Sequence, residues 1–336
     1  MSSAHQSQQW LLARRPVGLP TEEDFTWQTV DVAAPGEGEV LVKMRYLSLD
    51  PAMRGWMREG RSYLPPIKLG AVIRAYGVGE VIASGSSRFA PGDFVTAPSG
   101  LQSFFLTRDR GDLRKIDPDL CPVTWHLGVV GMTGLTAWFG LFDIGQPKEG
   151  ETVVVSGAAG AVGSVVGQLA RLHGCRVVGI AGGSGKCRVL TEEMGFHGAV
   201  DYRAGGLVKN LAAACPDGVD VFFDNVGGSM LEAGIHLMND HGRLPICGAI
   251  SQYNATEAEP GPRNMALIIA RRLKLEGFIV MDYAERYGEA VPRLASLARE
   301  GRLQVRETFI EGLANFPEAF GRLFSGEKMG KLMLAL

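Results

Sequence analysis

Glu151-Thr152-Val153-Val154-Val155-Ser156-Gly157-Ala158-Ala159-Gly160-Ala161-Val162-Gly163 is the stretch that decides the fold. A β-branched run ends in three glycines, Gly157, Gly160 and Gly163, with two residues between neighbours. Val162, Val165, Val166, Leu169 and Leu172 then fall on one face of a helix. Strand, glycine turn and helix open a dinucleotide-binding βαβ unit. Side chains at the glycines would block the turn or hold a pyrophosphate away from the helix N-terminus. There, unpaired N–H groups and the helix dipole favour an anion. A tight connection without a ligand would also explain a glycine turn. Here, however, the helix closes at His173-Gly174 and a second strand, Arg176-Val177-Val178-Gly179-Ile180, follows at once. The unit is complete in about thirty residues, and nucleotide binding is the expectation.

The next residues choose the nucleotide. An NAD-type site carries Asp or Glu at the end of the second strand, against the adenosine ribose. This chain has Ala181-Gly182-Gly183-Ser184-Gly185-Lys186, without a carboxylate and with a cation just beyond. A charge-assisted hydrogen bond from Lys186 to a 2′-phosphate contributes about 1.5–3 kcal/mol. The alternative is a solvated lysine on the first turn of a helix. A cation is unfavourable there unless an anion compensates it. NADP(H) is the expected cofactor, with Gly183 in its turn.

The 336 residues suggest about two domains. A net charge of −2 gives no reason to expect nucleic acid or a membrane surface as partner. Residues 1–9 are polar and lack the apolar core of a signal peptide. The run Ala266-Leu267-Ile268-Ile269-Ala270 stops at Arg271-Arg272, well short of a membrane span. A soluble, cytoplasmic protein is expected. Cys121, Cys175, Cys187, Cys215 and Cys247 are scattered, which fits reduced thiols. No Cys-x-x-Cys or paired-histidine motif occurs, so no metal site is expected.

Before the glycine turn the pattern is β-rich. Strands are expected near 39–46, 76–84, 94–95 and 102–106, separated by turn residues such as Pro91-Gly92, as in a compact barrel-like domain. Residues 125–141 look helical. After the turn, strands near 219–224, 243–247 and 274–279 alternate with helices near 230–238, 264–272 and 290–300, as a doubly wound sheet demands. The tail returns to β character at 305–310 and 331–335, with a helix near 316–324, and is expected to rejoin the first domain. Asp224-Asn225-Val226-Gly227-Gly228 and the run from Cys247 to Asn254 stand at strand ends, where ligands of such sheets lie.

Six motifs occur in order: Leu47-Ser48-Leu49-Asp50-Pro51-Ala52-Met53-Arg54-Gly55, Gly131-Met132-Thr133-Gly134-Leu135-Thr136-Ala137, Ala158-Ala159-Gly160-Ala161-Val162-Gly163, the turn from Gly183 to Lys186, Asp224-Asn225-Val226-Gly227-Gly228, and Cys247-Gly248-Ala249-Ile250-Ser251. Together they resemble the zinc-independent medium-chain dehydrogenase/reductases. The nearest group is the NADPH-dependent alkenal/one double-bond reductases, in which the curcumin and prostaglandin reductases fall. The likeness covers nearly the whole chain.

This resemblance implies an α/β protein: a GroES-like catalytic domain at 1–128, completed by 305–336, and a Rossmann NADP-binding domain at 129–304. It implies a homodimer acting on a small-molecule enone or alkenal. The cofactor would lie along Ala159, Gly160, Ala161, Val162 and Gly163, with Lys186 and Tyr202 near its 2′-phosphate. Asn225, the loop Cys247, Gly248, Ala249, Ile250, Ser251 to Tyr253, and Phe278, Ile279 and Val280 would line the rest. The family usually has Asn where this chain has Lys328.

Hydride would go to the β-carbon of an α,β-unsaturated ketone or aldehyde, leaving enolate charge on the carbonyl oxygen. Without zinc that oxygen needs hydrogen-bond donors, and one is worth about 2.7–4 kcal/mol. Tyr253, on the cofactor-side loop, and Tyr63, in Arg61-Ser62-Tyr63-Leu64-Pro65-Pro66, are the catalytic candidates. Either could instead pack a loop. Tyr63, Tyr253, Met132 and Tyr283 are the substrate-site candidates, although Met132 and Tyr283 could equally be core. Two other functions stay open: quinone reduction at the same cofactor site, and NADPH binding without turnover.

Overall fold

The computed structural model describes residues 5–257 and 260–336. Residues 1–4, part of the stretch read for a signal peptide, lie outside the described residues. The chain forms two compact units, 1–127 with 307–328 and 332–336, and 128–306 with 329–331.

The first unit opens with a hairpin the sequence pattern does not announce, β1 (His5–Leu12) against β2 (Phe25–Val32), with Trp10 opposite Trp27. Ser7, Trp10 and Leu12 point inward between exposed or half-buried polar residues, so only three inward residues carry the alternation. β3 (Glu39–Ser48) is the spine. A short α1 (Ala52–Trp56) follows, then β4 (Gly77–Ser84), β5 (Phe94–Ala97), β6 (Phe104–Arg108) and β7 (Arg114–Ile116). β3 pairs antiparallel with β4 and, through its first half, with β6. Arg54 is buried and donates to the carbonyls of Pro16 and Gly18, while Asp50 accepts from the Ser48 hydroxyl. Both residues hold backbone turns.

The helical stretch expected at 125–141 is interrupted. Residues Val123–Leu127 make a 3-10 turn, and in the second unit α2 runs Met132–Phe139 and passes directly into a π turn at Gly140–Gly145. The chain folds back between them: Gly134 N–H and the Thr133 hydroxyl both donate to Gly128 O. The Val129 carbonyl sits where a Cβ on Gly134 would go. Then come β8 (Thr152–Ser156), α3 (Ala161–Leu172), β9 (Arg176–Ala181), α4 (Ser184–Arg188), β10 (Gly198–Asp201), α5 (Leu207–Ala214), β11 (Val219–Phe223), α6 (Gly228–Leu237), β12 (Met238–Ile246), α7 (Met265–Ala270), β13 (Lys274–Gly277) and α8 (Tyr287–Arg299).

The six strands form one parallel sheet in the order β10-β9-β8-β11-β12-β13. The first strand of the unit, β8, stands beside both β9 and β11, so the order reverses there. That reversal is the switch point of a Rossmann sheet, where ligands bind. β8 is buried throughout, as a strand covered by helices on both faces must be.

The tail supplies β14 (Glu307–Glu311), α9 (Phe316–Ser325) and β15 (Lys331–Ala335). β15 pairs antiparallel with the second half of β3, and Leu313, Phe316, Phe320, Leu323, Leu332 and Leu334 join the core of the first unit.

Candidate functional site in the second unit

The glycine turn follows β8 directly. Gly157 adopts a positive φ of 59°, and Gly160 accepts the first helical bond, from Ser164 N–H at 3.0 Å. A Cβ on Gly163 would stand 2.5 Å from Gly157 O, so helix α3 lies against the turn only because Gly163 has no side chain. Val165, Val166 and Leu169 bury the apolar face of α3. The N–H groups of Ala161, Val162 and Gly163 belong to the first turn, which has no intrahelical acceptor. The cradle fits a pyrophosphate. Ala159 O accepts from Gly330 N–H at 2.8 Å, which holds the other side of the turn.

At the next strand end, Gly183 has φ 94° and donates its N–H to Asp201 Oδ1 at 2.8 Å. Asp201 Oδ1 also accepts from Arg203 N–H at 2.9 Å. These two backbone bonds hold the Asp201 carboxyl below its ordinary range. One carboxylate thus pins the turn after β9 to the turn after β10. Lys186 is half-buried beside this junction; desolvation, and then the charge of Arg203, lower its pKa. Tyr202 is on the same turn, with the Arg203 guanidinium carbon 5.9 Å from its ring centre. The structure therefore brings Gly183, Lys186 and Tyr202 together and adds Arg203. No carboxylate follows β9. A Cβ on Gly182 would meet Arg203 Nε at 2.9 Å and the Tyr202 hydroxyl at 3.0 Å.

Across the switch point, the Ser156 hydroxyl donates to Asp224 Oδ1 at 2.6 Å and accepts from Asn225 N–H at 2.8 Å. Asp224 is fully buried and also accepts from Val226 and Gly227 N–H. Burial pushes its pKa up against those bonds. Asn225 Nδ2 donates to Ser156 O at 2.8 Å, which fixes the amide. Sequence reasoning assigned Asn225 but gave no role to Asp224 or Ser156; a hydroxyl ending β8 opposite a carboxylate ending β11 was the available signal.

The loop after β12 is laced to the same strand end. Cys247 and Gly248 N–H both donate to Asp224 O, Ile250 N–H to Asn225 O, and Ser251 N–H and hydroxyl to Val226 O. Desolvation pushes the Cys247 thiol up to about 12, so it stays protonated. Ala249 N–H lies 3.4 Å from the Tyr253 hydroxyl, which accepts there. A Cβ on Gly248 would come within 3.2 Å of that hydroxyl.

Phe278 follows β13 and meets Phe223 edge-on, ring centres 6.2 Å apart. Ile279 and Val280 lead into a 3-10 turn, and the Tyr287 hydroxyl donates to Val280 O at 3.0 Å, with the Met132 sulfur 3.9 Å away. Tyr287, which sequence reasoning passed over, thereby places Met132 beside Val280. Tyr283 stacks on Phe139 at 4.6 Å, so one face of its ring is packed. Tyr63 belongs to the first unit; its ring is 46% exposed and its hydroxyl accepts from Trp56 Nε1 at 3.0 Å.

Among the described residues no group of three or more His, Cys, Asp or Glu side chains could hold a metal ion, and none of the five cysteines forms a disulfide. No described helix is long and apolar enough to cross a membrane.

Two family models match the chain, "N-terminal domain of oxidoreductase" over residues 8–116 and "Zinc-binding dehydrogenase" over residues 161–296. The NADPH-dependent curcumin reductase of Escherichia coli (strain K12) is 44% identical over 98% of this chain and 96% of its own length. The NADP(+)-dependent 2-alkenal reductase of Nicotiana tabacum is 38% identical over 98% of both chains. The crystal structure of CurA from Vibrio vulnificus in complex with NADPH superposes with a TM-score of 0.92, at 42% identity and 98% coverage of both chains. With a Rossmann switch point, a turn free of carboxylate and relatives of this identity over nearly its full length, the chain belongs to the medium-chain dehydrogenase/reductases, in their zinc-independent group of NADP-dependent double-bond reductases.

Proposed function

We propose that this protein reduces the carbon–carbon double bond of α,β-unsaturated ketones and aldehydes, curcumin-like enones and alkenals among them, with NADPH as reductant. The observation that carries the reading is Tyr253. Its hydroxyl sits on a loop laced to the ends of β11 and β12, the strand ends at which the cofactor would lie. The activities of the curcumin and 2-alkenal reductases support the same chemistry.

When bound, NADPH supplies the hydride. The residues of the chain do the remaining work. The N–H groups at Ala161, Val162 and Gly163, with Ala159 and Gly160, receive the pyrophosphate, and Lys186 and Tyr202 the 2′-phosphate. Asn225, Cys247, Gly248, Ala249, Ile250, Ser251, Phe278, Ile279 and Val280 orient the rest of the dinucleotide. As hydride reaches the β-carbon, charge moves to the carbonyl oxygen, the Tyr253 hydroxyl donates a hydrogen bond to that oxygen, and the α-carbon then takes a proton from solvent to give the saturated carbonyl. One such donor, fixed in advance, is worth about 2.7–4 kcal/mol. Tyr63 is the alternative donor. Met132 and Tyr283 form apolar wall for the substrate. Orientation of two bound reactants supplies much of the remaining acceleration.

A homodimer and a cytoplasmic location complete the reading. Ile269 of α7 is 81% exposed and leads towards the edge strand β13, which leaves apolar surface for a second copy. The test is a turnover panel of enones, alkenals, quinones and alcohols with NADPH and NADH. Enone reduction with NADPH supports the reading, and turnover of quinones alone overturns it.

A further inference from the structure

We propose that Arg203, acting with Lys186, reads the 2′-phosphate of the cofactor from the turn after β10. The inference rests on the NADPH reading above and adds a residue to it. A phosphate monoester carries about −1.5 to −2 charges near pH 7, more than one lysine offsets. The structure supplies the second cation.

Three contacts hold Arg203 there. Its N–H donates to Asp201 Oδ1, the oxygen that also takes Gly183 N–H, so the two turns move as one. Its guanidinium lies beside the Tyr202 ring, an arrangement attractive for a cation. Its Nε stands 2.9 Å from where a Cβ on Gly182 would be, with the Tyr202 hydroxyl at 3.0 Å. That is where an NAD-type enzyme presents a carboxylate to the ribose. The position is thus exchanged from acid to base, with the base arriving from the neighbouring strand.

The chemistry matches the geometry. Two cations side by side repel, and Arg203 already lowers the pKa of Lys186. A dianion between them converts that repulsion into two charge-assisted hydrogen bonds. Guanidinium is planar and grips two phosphate oxygens at once, where an ammonium offers a point charge. Asp201 Oδ1 faces two backbone N–H groups, and its charge also acts on the Arg203 guanidinium.

The experiment measures NADPH and NADH binding by fluorescence titration on the wild type, Arg203→Gln and Arg203→Lys. Arg203 is exposed on a turn, so both variants keep the fold. Arg203→Gln is expected to weaken NADPH about tenfold and leave NADH unchanged, with Arg203→Lys losing less. Unchanged NADPH affinity, equal weakening of both nucleotides, or equal losses in the two variants would overturn the assignment. A wild type that binds NADH as tightly as NADPH would overturn the NADPH reading itself. A wild type that prefers NADPH, with Arg203→Gln keeping that preference, removes Arg203 alone.

Discussion

Ser156 donates its hydroxyl hydrogen to Asp224 across 2.6 Å, joining the ends of two parallel strands at the point where the strand order reverses. Asp224 is fully buried and gathers three donors: this hydroxyl and the N–H groups of Val226 and Gly227. Asp224→Ala strands all three in a dry interior. It should destabilise the protein by about 3 kcal/mol, whereas Ser156→Ala should cost about 1 kcal/mol. Urea denaturation checks both. A loss below about 1 kcal/mol for Asp224→Ala would mean that water replaces the carboxylate.

Lys186→Ala should raise the NADPH dissociation constant about tenfold and barely change that for NADH. Titration of nucleotide fluorescence reads both constants. Parallel weakening of the two nucleotides would show that Lys186 serves the turn and does not read the phosphate.

Tyr253→Phe removes a hydroxyl and keeps the ring, so folding and NADPH affinity should survive. Its kcat on a good enone should fall about 10²–10³-fold if that hydroxyl is the main donor to the enolate oxygen. Tyr63→Phe loses an acceptor for Trp56 Nε1 and should cost less. A reversed order, with Tyr63→Phe the slower enzyme, moves the donor role to the first unit. Full turnover in the double variant would remove both.

His126 lies 3.5 Å from the Cys121 sulfur, and burial lowers its pKa. The native protein therefore holds it neutral where the unfolded chain binds a proton. Its contribution is intact above about pH 6.5, the unfolded value, and is lost as pH falls through the lower folded value. His197 is lowered too, mainly by burial, so the test is a difference. Stability against pH should fall less steeply below pH 6.5 for His126→Gln than for the wild type. Identical slopes would assign the acid sensitivity elsewhere.

What could be read from the chain was local. Residues 151–163 carry a strand period, three glycines and a helix period within one window, so the nucleotide turn needed no partner to be recognised. The missing carboxylate after Ile180 was equally local. Asp224 was different: its meaning depends on Ser156, sixty-eight positions away, and the two meet only through strand pairing. Arg203 follows Tyr202 directly, yet its place over Gly182 depends on β9 and β10 being neighbours. The interruption of the helical stretch expected at 125–141 escaped for another reason. Apolar periodicity runs on through Val129 and Val130, and only the close approach of Gly134 to the Val129 carbonyl turns the chain. The β1–β2 hairpin was hidden because its inward residues include Ser7.

β3 gains its partner along residues 46–48 from β15, about 285 positions later in the chain. Closing so long a loop carries a large entropic cost, and it must be met before those hydrogen bonds form. On a translating ribosome residues 46–48 emerge with one flank unsatisfied while the entire Rossmann sheet is still being made. That sheet draws nearly all its residues from one continuous stretch, 128–306, and can assemble as it appears. Synthesis therefore reverses the order in which the units are encoded. The first unit is begun first and finished second, and until then the second half of β3 offers an open edge to any passing strand.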